Sequence, residues 1–202
     1  MAFRLKTYLK SGEAERKGID NTPGVDSDGV GGQILTSEII IGNIENLHNK
    51  MVDPIMRHFN NLPGSSGNSI GITSGYRCKK LNESIKPPGA KNSQHIHGCA
   101  VDIIYTEGET SEIFNWAVNN LPTYDQIIWE FPEKGRFTVN DPNLPNNFNP
   151  SWIHLSYVEG RNRKTTSLAT NRDDLHSAVK TDSTIRRGIY THGITEADQT
   201  LV

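Results

Sequence analysis

Three short segments of this chain combine the composition of buried β-strands with ionisable side chains. They are AVDIIY at residues 100–105, DQIIWEF at residues 125–131 and SWIHLSYV at residues 151–158. Aliphatic and aromatic runs of this length, bounded by polar loops, predict strands. A buried strand that keeps a carboxylate or an imidazole must provide a partner for it, because burying an unpaired charge is costly. These segments therefore restrict both the fold and the position of a functional site.

Apolar residues at helical spacing predict helices before and between these strands. A long helix spans about residues 36–59, and Pro54 is expected to kink or divide it. A second helix covers SEIFNWAVNNL at residues 111–121, and a short helix over residues 78–85 follows a predicted strand at residues 70–76. This order of elements predicts an α+β fold in which helices flank a small antiparallel sheet.

The chain divides into three parts by composition. Residues 1–33 are predicted to be an irregular N-terminal segment, and residues 34–164 form the domain that holds every candidate functional residue. Residues 165–202 lack a sustained apolar period and are not expected to fold alone. This C-terminal extension is interpreted either as a docking arm that orders on a partner protein or as a solvated tail.

The charge and apolar content exclude several classes of protein. With 21 Lys and Arg against 23 Asp and Glu, the formal net charge is −2, which argues against binding nucleic acid or an anionic membrane by bulk charge. The sequence shows no membrane span and no signal peptide, so a product made in the cytoplasm is expected. Cys78 and Cys99 are expected to be reduced, although a single bridge between them remains open.

The strongest candidates for metal ligands are His95, Asp102 and His154. His95 lies in the loop before the strand at residues 100–105, and Asp102 lies on that strand. Alternation along WIHLS puts His154 on one face of its own strand, from which it can join the first pair. Two imidazole nitrogens and one carboxylate oxygen leave the fourth tetrahedral position of zinc open for water, as in catalytic sites. The same ligands suit other divalent metals.

Glu130 is the candidate general base. It ends the apolar strand DQIIWEF, where a purely structural strand requires no carboxylate. A carboxylate beside zinc can accept a proton from the attacking water and pass it to a leaving amine, so metal-assisted hydrolysis of an amide is implied. Asp125, at the start of the same strand, is the rival base. Each residue taken singly is more often structural than functional, and only their combination favours a site.

The stretch SQHIHGCAVD fits the pattern S-x-H-x-x-G-x-A-x-D, with its fixed residues at Ser93, His95, Gly98, Ala100 and Asp102. This pattern resembles that of the M15 peptidases, the zinc D-Ala-D-Ala carboxypeptidase and L,D-peptidase group, whose fold is hedgehog-like. ITSGYRCKKLN, DQIIWEF and SWIHLSY resemble further segments of the family, and GIDNTP looks like the start of its phage endolysin-like branch.

The resemblance implies roles for individual residues. His95, Asp102 and His154 match the zinc ligands of the family, and Arg77 matches an arginine that contacts substrate or the transition state. A guanidinium offers a planar fork of donors to a carboxylate or an oxyanion. Many relatives place the base three residues before the last histidine, where this chain has a serine at position 151. The hedgehog-like and phage-like branches place it where Glu130 stands.

The resemblance further implies zinc-dependent hydrolysis in the stem peptide of bacterial peptidoglycan, by a carboxypeptidase or an L-Ala-D-Glu type endopeptidase. The protein is then expected to be a phage lysin or a virion component that is made in the host cytoplasm and acts at the cell wall. Residues 165–202 would contact other virion proteins. The alternative is a non-catalytic structural or wall-binding virion module that keeps the peptidase fold. A general metalloprotease is less favoured, because the sequence contains no H-E-x-x-H helix.

Overall fold

The computed structural model describes residues 3–24, 35–86, 88–130, 150–170 and 189–192. Its helices are α1 (Leu5–Leu9), α2 (Gly12–Lys17), α3 (Ser37–Leu47), α4 (Asp53–Asn60), α5 (Lys79–Ser84) and α6 (Thr110–Asn120). Its strands are β1 (Ile70–Ser74), β2 (Ala100–Tyr105), β3 (Gln126–Glu130), β4 (Trp152–Ser156), β5 (Thr165–Thr170) and β6 (Ile189–His192). Within these residues, no helix has the length and apolar character needed to cross a membrane.

All six strands belong to one sheet, in the order β1-β2-β4-β3-β5-β6. Neighbouring strands are antiparallel except for β3 and β5, which run parallel. The predicted α+β class is confirmed, and the predicted antiparallel sheet is correct for every pair but this one. The strands that carry Asp102, His154 and Glu130, namely β2, β4 and β3, are consecutive neighbours in the sheet, so these polar side chains are brought close together.

The two faces of the sheet differ in chemistry because side chains alternate along each strand. One face of β2, β3 and β4 supplies apolar side chains to the core: Val101, Ile103, Ile127, Trp129, Ile153 and Leu155, all buried. The opposite face, called the site face below, carries Asp102, His154 and Glu130. Helices α3, α4 and α6 add their own buried apolar residues to the core. The core side therefore anchors the strands that present the polar residues.

The predicted long helix is divided where proline was expected to interrupt it. A π-helical segment, His48–Val52, joins α3 to α4, and Pro54 lies in the first turn of α4. Pro54 has no N–H to donate to the preceding turn, and its ring would clash with a carbonyl of an ordinary α-helical turn. The wider π-helical turn accommodates the ring while the chain keeps a helical path.

Two predicted segment boundaries differ from the structure. The N-terminal segment is not irregular throughout, because α1 and α2 form within it. Tyr8 of α1 is buried, and its hydroxyl is hydrogen-bonded to Nδ1 of His48 at 2.7 Å. Helices of five or six residues are too short to show a periodic pattern. The C-terminal extension was predicted to start at residue 165, yet β5 begins there and pairs with β3. The polar loop predicted between DQIIWEF and SWIHLSYV, at residues 132–150, lies outside the described residues except for its last residue, as does most of the extension.

Candidate metal centre

The structure brings the three predicted ligands together. Asp102 on β2 and His154 on β4 are direct cross-strand partners, and His95 reaches them from the loop that precedes β2. All three residues are buried, with exposed fractions of 2% for His95 and 8% for each of the other two. Within the described part of the chain, His95, Asp102 and His154 form a group able to hold a metal ion, because their ligand atoms all lie within 4.8 Å of one another.

The distances between ligand atoms suit a small cation. Oδ1 of Asp102 lies 3.3 Å from Nε2 of His95 and 3.0 Å from Nδ1 of His154. Ligands held tetrahedrally at zinc distances of about 2.0–2.1 Å are about 3.3 Å from one another. Two imidazoles and one carboxylate are also a ligand set that zinc accepts. The residues therefore fit a zinc ion without a change of fold.

A backbone carbonyl orients the first histidine. Nδ1 of His95 lies 2.7 Å from the carbonyl oxygen of Gly75, so this nitrogen donates and Nε2 remains free to bind a metal. Gly75 can be only a glycine here, because a Cβ would lie 2.3 Å from the carbonyl oxygen of Tyr8. The same oxygen accepts the N–H of Tyr76 at 2.8 Å. Helix α1 thus packs against the segment that supports His95, a contact that the sequence did not reveal.

The loop of residues 93–99, called the ligand loop below, is a compact turn that rests on α3. Gly98 has φ of 69°, and a Cβ at this position would lie 2.6 Å from the carbonyl oxygen of Ile40. Both the left-handed backbone and the close approach of α3 require glycine. Nδ2 of Asn43 on α3 also donates to the carbonyl of His97 at 2.9 Å. His97 therefore belongs to the support of the loop and not to the ligand cluster.

Burial and mutual charge set the protonation of the ligands. Burial opposes ionisation of Asp102, but the charges and hydrogen bonds of His95 and His154 hold its pKa well below its usual range. Burial lowers the pKa of His95. Burial also disfavours the charged form of His154, but its hydrogen bond with Asp102 outweighs this effect and raises its pKa. An ionised Asp102 and a neutral His95 are the forms that bind metal.

Glu130 and Trp152 lie at the end of the site face. They are cross-strand partners, and Nε1 of Trp152 donates to Oε2 of Glu130 at 2.8 Å. Burial, reinforced by the negative charge of Asp102, raises the pKa of Glu130 to about 7, although the nearby charges of His154 and Arg77 and the bond from Trp152 favour its ionised form. A carboxyl group with a pKa in this range can both accept and release a proton near neutral pH.

The guanidinium of Arg77 interacts electrostatically with the carboxyl groups of Asp102 and Glu130. Burial lowers its pKa, and the charges of Asp102 and Glu130 act in the opposite direction. Its Nε is buried and has no hydrogen-bond partner within the described part of the chain. A buried donor without a partner is costly, which distinguishes Arg77 from a solvated surface arginine.

Asp125 and Ser151, the other two positions considered for the base, lie outside the ligand cluster. Both carboxylate oxygens of Asp125 bind Arg163, and one of them also accepts a hydrogen bond from Gln94. The side chain of Ser151 is exposed, and its N–H donates to the carbonyl of Glu130 at 3.0 Å. Neither residue is part of the ligand cluster. The geometry thus leaves Glu130 as the carboxyl group on the site face beside the ligands.

The two cysteines are free thiols. Cys99 is buried, and burial raises the pKa of its thiol to about 11. A thiol with so high a pKa is largely protonated at neutral pH and is a poor nucleophile and metal ligand. The disulfide that the sequence left open is not formed.

Comparison with known proteins identifies the family. The family model described as Peptidase M15 matches residues 4–131, which is more than half of the chain, and comparisons with curated proteins and with solved structures gave no match. The chain therefore belongs to the Peptidase M15 family. This family indicates a metallopeptidase, and its members are generally zinc-dependent. The matched range contains His95, Asp102 and Glu130 and ends before β4.

Proposed function

We propose that this protein is a zinc-dependent peptidase that cleaves a peptide bond in the stem peptide of bacterial peptidoglycan. The observation that carries this proposal is the buried cluster of His95, Asp102 and His154 in a chain of the Peptidase M15 family. Ionisable side chains that converge in a buried site are costly without a partner, and a metal ion is the partner that satisfies all three. The cluster therefore supports an enzyme more strongly than any single residue does.

His95, Asp102 and His154 would hold the zinc ion through Nε2, Oδ1 and Nδ1, the atoms that lie closest to one another. A bound zinc ion supplies a Lewis acid that polarises the scissile carbonyl and lowers the pKa of a water molecule to about 7. The bond from His95 to the carbonyl of Gly75 keeps the imidazole in the required tautomer. These side chains thus bind and orient, and they take no proton during the reaction.

Glu130 is the proposed general base. Its Oε2 accepts the bond from Trp152, so Oε1 is the oxygen that takes a proton from the attacking water. The same carboxyl group then delivers that proton to the leaving amine. A pKa raised to about 7 supports both steps. At neutral pH the carboxylate is a strong enough base to accept the proton, and the carboxylic acid is a strong enough acid to release it.

Arg77 is the proposed anchor for the substrate. Its buried Nε lacks a partner among the described residues, and its charge is close enough to Asp102 and Glu130 to influence both. A guanidinium in this position can bind a peptide carboxylate or stabilise the developing oxyanion. Either contact would hold the scissile bond beside Glu130.

The bond that is cut and the biological setting rest on resemblance. We propose cleavage at a D-Ala-D-Ala terminus or at a bond of the L-Ala-D-Glu type, by a phage lysin or a virion-associated enzyme that acts at the cell wall. The support is the similarity of SQHIHGCAVD to the pattern of the family and of GIDNTP to the start of its phage endolysin-like branch. Contact with other virion proteins through residues beyond 170 is part of the same proposal.

The test is mass spectrometry of purified peptidoglycan after incubation with the zinc-loaded protein. A new amine at one position of the stem peptide is expected, and that position identifies the bond. His154→Ala and protein treated with a chelator are the matched controls and should give no product. If the zinc-containing protein releases no product from peptidoglycan of any chemical type, the proposed enzymatic activity is contradicted. That result would favour the non-catalytic structural or wall-binding module.

A further inference from the structure

Asp125, at the start of β3, carries a buried carboxylate that is fully paired. Oδ1 accepts the backbone N–H of Arg163 at 3.1 Å and its Nε at 2.8 Å, while Oδ2 accepts Nη2 of Arg163 at 2.6 Å and Nε2 of Gln94 at 2.7 Å. The exposed fraction of the Asp125 side chain is 3%, against 57% for Arg163. A buried carboxylate with donors on both oxygens holds its partners in fixed positions. Asp125 therefore joins two segments that are distant in sequence.

Gln94 places one end of this network on the ligand loop. Its carbonyl accepts the N–H of His97 at 3.2 Å and that of Cys99 at 3.0 Å, which closes the turn. Its side chain is the one that binds Asp125. Because Gln94 directly precedes His95, any shift of Gln94 is transmitted through one peptide unit to the metal ligand.

Arg163 places the other end of the network at the entry to β5. The N–H of Lys164 donates to the carbonyl of Tyr124 at 2.9 Å, and that of Thr165 donates to the carbonyl of Asp125 at 3.0 Å. Lys164 has φ of 55°, which is uncommon for a residue other than glycine. Such a conformation persists only where neighbouring contacts enforce it, and here both neighbours of Lys164 bind Asp125.

We propose that Asp125 is a positioning residue for the metal centre. Its bond to Gln94 holds the ligand loop in the conformation that presents His95. Its bonds to Arg163 hold Asp125 in place, so the position of the ligand loop is linked to the segment that leads into β5. The inference rests on the proposed function, because it assumes that His95 binds zinc. Groups hydrogen-bonded directly to a metal ligand commonly change metal affinity by about 10- to 100-fold when they are removed, so a group that acts through the neighbouring residue is expected at the low end of this range.

The zinc affinity of the purified full-length protein, measured by competition with a chromophoric chelator, tests this role. Gln94→Met keeps the size of the side chain, removes its amide donor and leaves the pair of Asp125 and Arg163 intact. We expect zinc to bind about tenfold more weakly, with the melting temperature of the zinc-free protein within about 2 °C of the wild type. Asn92→Ala, at an exposed position two residues earlier, is the matched control and should bind zinc like the wild type.

Arg163→Met gives an independent second variant, because it changes a largely exposed side chain outside the ligand loop. It should also weaken zinc binding, by less than Gln94→Met does. Unchanged zinc affinity in both variants would overturn the inference and leave the proposed function intact, even if the zinc-free protein melts at a lower temperature. A wild-type protein that binds no zinc would instead contradict the proposed function, and this inference with it.

Discussion

Trp152 donates from Nε1 to Oε2 of Glu130 at 2.8 Å, across the last paired position of β3 and β4. The bond fixes one carboxylate oxygen of Glu130, whose carboxyl group is close enough to His154 and Asp102 for their charges to act on its pKa. It also gives a partly buried carboxyl group a hydrogen-bond partner at the end of an apolar strand. The orientation of the proposed base is thus set by the strand that carries a proposed metal ligand.

Glu130→Gln should abolish most of the turnover without loss of metal. The amide keeps the size of the side chain and an oxygen that can accept the bond from Trp152, but it cannot take a proton. We expect turnover to fall by about a hundredfold or more, the range typical of a general base, with zinc content unchanged. Steady-state kinetics and elemental analysis on the same sample measure both quantities.

Ser151→Ala is the control for this variant, because residue 151 lies three positions before His154 and its hydroxyl is too weak a base. Its turnover should stay close to that of the wild type. Full activity in Glu130→Gln would exclude Glu130 as the base. Loss of zinc in Glu130→Gln would make Glu130 a metal ligand.

The zinc-free protein should lose stability as the pH rises from about 4.3 to about 7, because of Glu130. Burial raises the pKa of this group in the folded state to about 7, whereas a glutamate in an unfolded chain titrates near 4.3. The folded state therefore holds a proton that the unfolded state has released, and this contribution is lost once Glu130 ionises. Glu130→Gln should melt above the wild type at about pH 8, and the difference should shrink at about pH 5. A difference independent of pH would contradict the raised pKa.

Removal of the metal should destabilise the protein through its three ligands. We expect about one zinc ion per chain in the wild type, and a chelator should lower the melting temperature because zinc binds the folded state in preference to the unfolded state. His154→Ala removes a ligand from β4 and should leave little zinc after dialysis. Stoichiometric zinc in this variant, by elemental analysis, would show that the metal lies elsewhere.

Arg77→Lys should show whether the substrate is held by the positive charge alone or also by the planar hydrogen-bond donors of the guanidinium. Lysine keeps the positive charge near Asp102 and Glu130 but offers a single ammonium group in place of the planar donors. We expect kcat/KM to fall at least about tenfold, with zinc content and melting temperature close to the wild type. Unchanged kinetics would return Arg77 to a structural role.

The position of β5 predicts where the chain can be shortened. A chain that ends at Lys164 loses the parallel partner of β3, which pairs from Gln126 with Thr165 through Glu130 with Ala169. Several backbone hydrogen bonds are lost, and β3 becomes an exposed edge. We expect its melting temperature to lie at least about 5 °C below that of a chain ending at Thr170. Thermal unfolding of the two chains decides this, and equal stability would show that β5 adds nothing to the domain.

The sequence alone determined the elements that have local signals. Runs of aliphatic and aromatic residues placed Asp102, Glu130 and His154 on strands. Alternation then put His154 on one face of its strand, because the period of two along a strand is set by backbone geometry. Helix α6 and the interruption at Pro54 were found for the same reason, since both depend on nearby residues. The pattern of residues 93–102 also suggested the family to which the chain belongs.

Tertiary structure decided what depends on contacts between distant segments. Asp102 and His154 are 52 residues apart, and only the strand order makes them neighbours. The carbonyl of Gly75 that orients His95 has no signal in a sequence, because every residue except proline carries the same backbone donor and acceptor. Asp125 looked like a rival base until its bonds to Gln94 and Arg163 were known. The parallel pairing of β5 was missed as well, since a strand added at an edge is stabilised by its neighbour's backbone and not by a pattern of its own.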